Sequence, residues 1–221
     1  MKTALVTGAA RGIGRAAADA LQRAGLKVLR LDLQGAIAYD LTHLTDIPGL
    51  IDGLGEIHVL VNNAGVQTAV SIDKYTEEQR ARILRVNLEA PVELIRAVSK
   101  QMIARREGRI VNLASIAAWQ PHPDLWYGIT KAGVVSMTKS FALYLGRHGI
   151  QVNAVAPGPV DTDLLQRVEP ARREGLLKVV YSGRVGRPEE VAAAIAWLVT
   201  SSPPIVNGSI IDINDGTYPR A

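Results

Sequence analysis

Apolar and polar positions fall into alternating blocks along this chain. Thr3-Ala4-Leu5-Val6-Thr7 is a short, partly β-branched apolar run ended by glycine, as a strand buried in a parallel sheet should be. Beyond it, Ile13, Ala16, Ala17, Ala20, Leu21 and Ala24 recur at helical spacing, and Gly25 supplies a stop. Lys27 to Asp32 reads as a second strand, completing a strand, turn, helix, strand unit of about thirty residues. Further strands are predicted at His58 to Asn62, Arg109 to Ala114, Gln151 to Ala156 and Ser209 to Ile213. Between them fall helices from about Thr76 to Arg105 and Leu125 to Arg147, and one opened by Pro188-Glu189-Glu190 after a charged stretch, Asp161 to Val180. Strands alternating with helices imply an α/β fold, a parallel sheet covered on both faces.

Composition narrows the chemistry. At 221 residues and 48% hydrophobic, the chain can bury one substantial core, so a single domain over residues 1–221 is expected. The absence of cysteine excludes disulfides, thiolate nucleophiles and cysteine zinc sites. His43, His58, His122 and His148 form no i,i+4 pair, so no metal site is expected. A net charge of +4, with clusters at Arg105-Arg106 and Arg172-Arg173, raises nucleic acid as a partner. Mixed charge and only 5% aromatics argue against it, leaving few platforms for stacking bases. No long apolar run or leader-like start appears, so a cytoplasmic protein without a membrane partner is expected.

The turn after the first strand reads Thr7-Gly8-Ala9-Ala10-Arg11-Gly12-Ile13-Gly14. Glycines spaced G-x-x-x-G-x-G between strand and helix let the backbone approach a pyrophosphate at the helix N-terminus. With Asp32 ending the next strand, the unit has the form of a Rossmann-type, doubly wound dinucleotide site, with Gly8, Arg11, Gly12, Ile13 and Gly14 at the phosphates. Asp32 is placed to bind the adenine ribose hydroxyls and would repel a 2′-phosphate, which favours NAD over NADP. Arg11 and Arg30 are nearby cations that could restore NADP binding. Farther on, Tyr127 and Lys131 lie one helical turn apart on one face. A cation about 4 Å from a phenol contributes on the order of 4 kcal/mol at an effective dielectric of 20, roughly three pKa units, which would make Tyr127 a proton carrier near neutrality.

With Asn62-Asn63-Ala64-Gly65 after a strand, Asn87 in a helix, Ser115 closing a strand, and Pro157-Gly158 followed by Thr162, the chain resembles the short-chain dehydrogenase/reductase family nearly end to end. The resemblance is to the compact branch of roughly 250 residues. It implies hydride transfer between NAD(H) and a secondary alcohol or ketone. Tyr127 would be the general acid/base, Ser115 would hold the substrate oxygen, and Lys131 would lower the tyrosine pKa and bind the nicotinamide ribose. Asn87 would anchor a proton-carrying water. The same resemblance places Asp40 and Leu41 beside the adenine, Asn63, Ala64 and Gly65 under its ribose, and Pro157, Gly158, Val160 and Thr162 near the nicotinamide. Residues 159–185 would form a substrate lid bearing Leu164, Leu165, Arg172 and Arg173, while Trp119, Gln120 and His122 would approach the substrate. For Trp119, packing competes with substrate contact; His122 is read as a surface histidine. The two long helices resemble those that pair across family dimers, implying a homotetramer or homodimer.

Two rival readings stay open. One is an NADPH-dependent 3-oxoacyl thioester reductase acting on acyl-carrier-protein substrates, which Asp32 disfavours; the other is a dinucleotide-sensing regulator without turnover, which would have no need of Tyr127 and Lys131. The chain also departs from the family. Only seven residues separate Asp32 from Asp40, where the family has a whole crossover helix. Leu33 to Gly35 span at most about 10 Å, so any parallel third strand must be very short and the adenine pocket more open.

Overall fold

The computed structural model describes residues 1–68, 70, 72–166 and 170–219, without the side chains of Ile72, Pro170, Ala171 and Arg172. Among them, β1 (Thr3–Thr7), β2 (Lys27–Asp32), β3 (Ile37–Ala38), β4 (Val59–Asn62), β5 (Gly108–Leu113), β6 (Ile150–Pro157) and β7 (Ile210–Ile213) form one parallel sheet. Its order is β3-β2-β1-β4-β5-β6-β7, the doubly wound arrangement, in which direction reverses beside β1.

Strand periodicity divides the core in two. Leu5, Leu60, Ile110, Val152 and Ala154 face one side, where α2 (Ile47–Leu54), α4 (Ala90–Arg105) and α5 (Leu125–Gly146) pack. Their neighbours Ala4, Val6, Val59, Val61, Val111 and Val155 face α1 (Gly12–Arg23) and α8 (Pro188–Thr200) on the other. After β6, the charged stretch carries α6 (Asp163–Gln166) and α7 (Pro170–Val179).

Three local outcomes differ from periodicity alone. The helix expected to run unbroken from Thr76 begins there, with Thr76 and Gln79 forming a reciprocal capping box, but α3 ends at Leu84. Arg85–Glu89 then widens into a π turn before α4 resumes. Such a bulge displaces side chains from the regular helical positions and is common at functional sites. The helix α2, with Gly49 and Gly53 inside it, has weak intrinsic propensity and no predicted counterpart. Burial of Ile47 and Ile51 in the core, worth roughly 2 kcal/mol each, outweighs that weakness.

The shortened edge is as the spacing requires. Only Leu33 to Ala36 join β2 to β3, and the third strand has two residues, pairing Leu31 with Ile37 and Asp32 with Ala38. No described helix lies between β2 and β3.

Candidate active site

The turn leaving β1 is closed by backbone. Gly8 sits at φ +64°, and a Cβ on Gly14 would lie 2.1 Å from the Gly8 carbonyl oxygen and 2.3 Å from Asn63 Nδ2. Glycine is therefore dictated at both positions by conformation and space. Thr7 Oγ1 accepts from the amides of Asn63 and Ala64, while Asn63 Nδ2 donates to the Thr7 and Gly8 carbonyls at 2.9 and 3.0 Å. The segment expected to pass beneath the ribose is thus clamped to the turn, with the Asn63 side chain committed to that clamp. Ile13 packs against the core below.

Asp32, at the end of β2, accepts from the Ala10 amide at 2.9 Å and the Leu33 amide at 2.7 Å, so its carboxylate stands at the mouth of the glycine turn. Arg30 donates to Asp19 at 2.6 Å and to Gln22 at 3.0 Å, an arrangement that occupies its guanidinium on α1. Arg11 pairs with Asp163 at 3.1 Å, tying the turn to α6. A Cβ on Gly12 would meet Thr162 Cγ2 at 3.3 Å, so residues expected at the phosphates and the nicotinamide already lie together. The Thr42 amide, bonded to Asp40, holds that carboxyl below the usual carboxylate range. Leu41 turns its side chain into the core, leaving its backbone at that edge.

Beyond the carboxyl ends of β4 and β5, the four candidate reactive residues gather. Asn87, inside the π turn and buried, accepts from the Val66 amide at 2.8 Å and donates to the Val66 carbonyl at 2.9 Å and to Thr130 Oγ1 at 3.2 Å. Gly65 lies between Asn87 and Lys131: a Cβ there would be 3.6 Å from Asn87 Oδ1 and 3.9 Å from Lys131 Nζ. Lys131, 5% exposed, donates to the Leu113 carbonyl at 2.6 Å, and its ammonium sits 5.5 Å from the Tyr127 ring centre. Ser115 accepts from the Ala117 amide at 3.2 Å, and its hydroxyl is near enough to the Tyr127 phenol to favour the phenolate.

The electrostatics correct the expectation of a near-neutral phenol. Tyr127 is half-buried at the cleft. Burial raises its pKa; the nearby Ser115 hydroxyl lowers it in part, and the Asp124 charge raises it further. Lys131 faces the ring and a carbonyl, and burial lowers its ammonium to about 8. Desolvation is the largest influence on the phenol, so in the free protein it keeps its proton.

Two further side chains enter the site. His122, expected at the surface, is half-buried; its Nδ1 accepts from the Asp124 amide at 3.1 Å, and its ring centre lies 5.0 Å from that of Tyr127. Asp124, buried and three residues before the tyrosine, caps α5 by accepting from the Tyr127 amide at 3.0 Å. The Asp-x-x-Tyr spacing was the available sequence cue for this cap. Trp119 packs against the core, and the Tyr218 hydroxyl donates to its carbonyl at 3.4 Å, in keeping with packing.

On the remaining edge, the Gly158 amide after Pro157 donates to the Ile213 carbonyl at 3.0 Å, and buried Val160 pairs with Gly186. Leu165 is buried and Leu164 exposed, while Arg173 donates to the Gln166 carbonyl at 3.2 Å. The Arg172 side chain lies outside the described residues. Among the described residues, no three histidine or carboxylate side chains gather where a metal could sit, and no helix is long and apolar enough to cross a membrane.

Sheet order and the glycine-lined turn put the chain in the class of Rossmann-type α/β proteins. A family model described as Enoyl-(Acyl carrier protein) reductase matches residues 8–218. The 3-oxoacyl-[acyl-carrier-protein] reductase FabG of Vibrio cholerae is 33% identical over 98% of this chain and 97% of its own length. Among solved structures, a gluconate 5-dehydrogenase from Burkholderia cenocepacia in complex with NADP and tartrate superposes with a TM-score of 0.94 at 29% identity, covering 100% of this chain and 96% of that one. A 3-oxoacyl-[acyl-carrier protein] reductase with bound NAD from Brucella melitensis gives 0.91 at 31%, covering 99% and 92%. The chain belongs to the short-chain dehydrogenase/reductase family and is an oxidoreductase acting between carbinol and carbonyl groups.

Proposed function

We propose that this protein transfers hydride between NAD(H) and a secondary alcohol or ketone, using Ser115, Tyr127, Lys131 and Asn87. The observation that carries this reading is that Asn87 and Lys131 flank Gly65, with the Lys131 ammonium 5.5 Å from the Tyr127 ring and Ser115 beside its phenol. The turn suits a dinucleotide: glycine at Gly8 and Gly14 lets the backbone close tightly against Asn63 and Ala64, directly before the N-terminus of α1, whose free amides would meet a pyrophosphate. Arg11 and Ile13 flank the pyrophosphate, Asp32 meets the ribose hydroxyls, and Asp40 and Leu41 border the adenine. Ala64 and Gly65 pass beneath the ribose, while Pro157, Gly158, Val160 and Thr162 meet the nicotinamide end.

A bound nicotinamide supplies or accepts the hydride. Ser115 holds the substrate oxygen, and Tyr127 delivers a proton to it in reduction or takes one away in oxidation. Lys131 holds the nicotinamide ribose, and its positive charge favours deprotonation of Tyr127 when oxidation requires it. Asn87 fixes Val66 and the loop beyond Gly65, and anchors the water that returns protons from Lys131. The resting phenol is protonated, and burial makes it harder still to deprotonate, so it can serve as proton donor in reduction.

The preference for NAD rests on Asp32 at the turn and on Arg30 being occupied by Asp19. A 3-oxoacyl thioester is the second reading, favoured by the names of the curated relatives. Residues 159–185, of which 167–169 lie outside the described residues, serve as the substrate lid. The apolar groove of Leu88, Val92, Met137, Phe141 and Tyr144 between α4 and α5 supports assembly into a homodimer or homotetramer, which light scattering tests; a stable monomer contradicts it.

The functional test is titration with NADH and NADPH, followed by a panel of alcohols, ketones and a 3-oxoacyl thioester monitored by nicotinamide absorbance. Tighter NADH binding with turnover of simple carbonyls supports the first reading. Tighter NADPH binding with turnover of the thioester alone replaces it with the second.

A further inference from the structure

Asp124 does more than cap a helix. Its buried carboxylate accepts from the Thr68 amide at 2.7 Å, from Thr68 Oγ1 at 2.9 Å, from the Tyr127 amide at 3.0 Å and from the Tyr75 hydroxyl. The donors come from two parts of the chain about fifty residues apart in sequence: the segment running on from Gly65, and the first turn of α5. Burial pushes this carboxyl up, but hydrogen bonds from Tyr75, Tyr127 and Thr68 outweigh that and hold it ionised. A lone cap needs one or two acceptor contacts. Four among the described residues, from two distant parts of the chain, make a junction.

We propose that Asp124 is a positioning residue that ties Thr68 and Tyr75 to the first turn of the catalytic helix, so that these two residues and the Tyr127 hydroxyl move as a unit. Tyr75 acts through it, as the distal arm of the same junction. The inference deepens the proposed reaction and rests on Tyr127 being its proton carrier. The same charge tunes that carrier. The groups facing Tyr127 are Lys131 and Asp124 from its own helix and approach, with His122 and Ser115 from the loop after β5. Of these, the Asp124 carboxylate disfavours the phenolate, so its removal lowers the Tyr127 pKa.

Asp124→Asn keeps the shape and loses the charge. It should raise the substrate KM at least about fivefold and lower kcat, leaving the dinucleotide Kd within about twofold. In the reductive direction, the alkaline limb of kcat/KM should move to lower pH by about half a unit or more. A wild-type pH profile and KM, with only a lower Tm, would reduce Asp124 to a simple cap and overturn the proposal.

Tyr75→Phe, which deletes one hydroxyl, keeps the test decisive if the Asn variant folds poorly. It should raise KM by itself and add nothing in the double variant, because both lesions break one junction. Additive losses contradict a shared role. Hydrogen exchange gives a readout independent of turnover: in Asp124→Asn the Thr68 and Tyr127 amides should both lose protection. Loss at Tyr127 alone sinks the junction, whatever becomes of the proposed reaction.

Discussion

The glycine turn and the first turns of α5 solve different problems with different materials. Around the turn, the constraint is backbone: Gly14 has no room for a Cβ, Gly8 holds a left-handed conformation, and Asn63 and Thr7 exist there to bond main chain. Around α5, the constraint is side chains at and below the surface of the cleft, with buried Lys131 on a carbonyl, buried Asp124 under several donors and Tyr127 half-buried between them. The difference separates two properties. In the proposed reading, recognition of a dinucleotide depends on how tightly backbone closes at the turn, whereas reactivity depends on what burial does to ionisable groups. Lesions on the two sides should therefore affect different quantities.

The largest effect is expected on the helix side. Lys131→Met should lower turnover roughly a hundredfold to ten-thousandfold, measured with saturating dinucleotide. It also carries a pH signature. Burial lowers the Lys131 pKa from 10.5 to about 8, so between those values the unfolded chain binds more protons and stability rises with pH. That rise, at most about 3 kcal/mol, should vanish in Lys131→Met when urea melts at pH 7 and pH 10 are compared. On the turn side, Gly14→Ala forces a Cβ against the Gly8 carbonyl. A loss of about 1 to 3 kcal/mol in stability and at least about tenfold in dinucleotide affinity is expected, read by melting and by NADH fluorescence.

Smaller changes sharpen the comparison at its edge. Asp32→Ser should shift the NADP to NAD affinity ratio by about tenfold towards NADP, with little change in kcat; an unchanged ratio would separate Asp32 from cofactor choice. The smallest effect belongs to Asp163→Asn. Its ion pair with Arg11 joins two largely exposed side chains, and such pairs contribute little. Less than about a twofold change in affinity or KM is expected in steady-state assays.

The turn was legible because glycine spacing is itself the physical requirement, and Tyr127 with Lys131 because four residues on a helix make one face. The two-residue β3 followed from chain reach alone. What periodicity could not show was tertiary in origin. The π turn at Asn87 preserves the apolar pattern while changing the local winding, so Thr76 to Arg105 reads as one helix. The helix α2 persists through the burial of Ile47 and Ile51 despite its glycines. Asp124 bears a visible cap spacing, but its link to Thr68 and Tyr75 spans a separation at which sequence carries no local signal. The phenol's direction of shift was misread for a related reason: spacing gives the cation's nearness, whereas only the packed site gives the desolvation that opposes it.

The separation of binding from reactivity is tested most directly by Tyr127→Phe, with NADH affinity and single-turnover hydride transfer measured on the same preparation. The account predicts transfer slowed by about a thousandfold with Kd changed less than about threefold. Near-normal transfer, or affinity lost in parallel with rate, would contradict it.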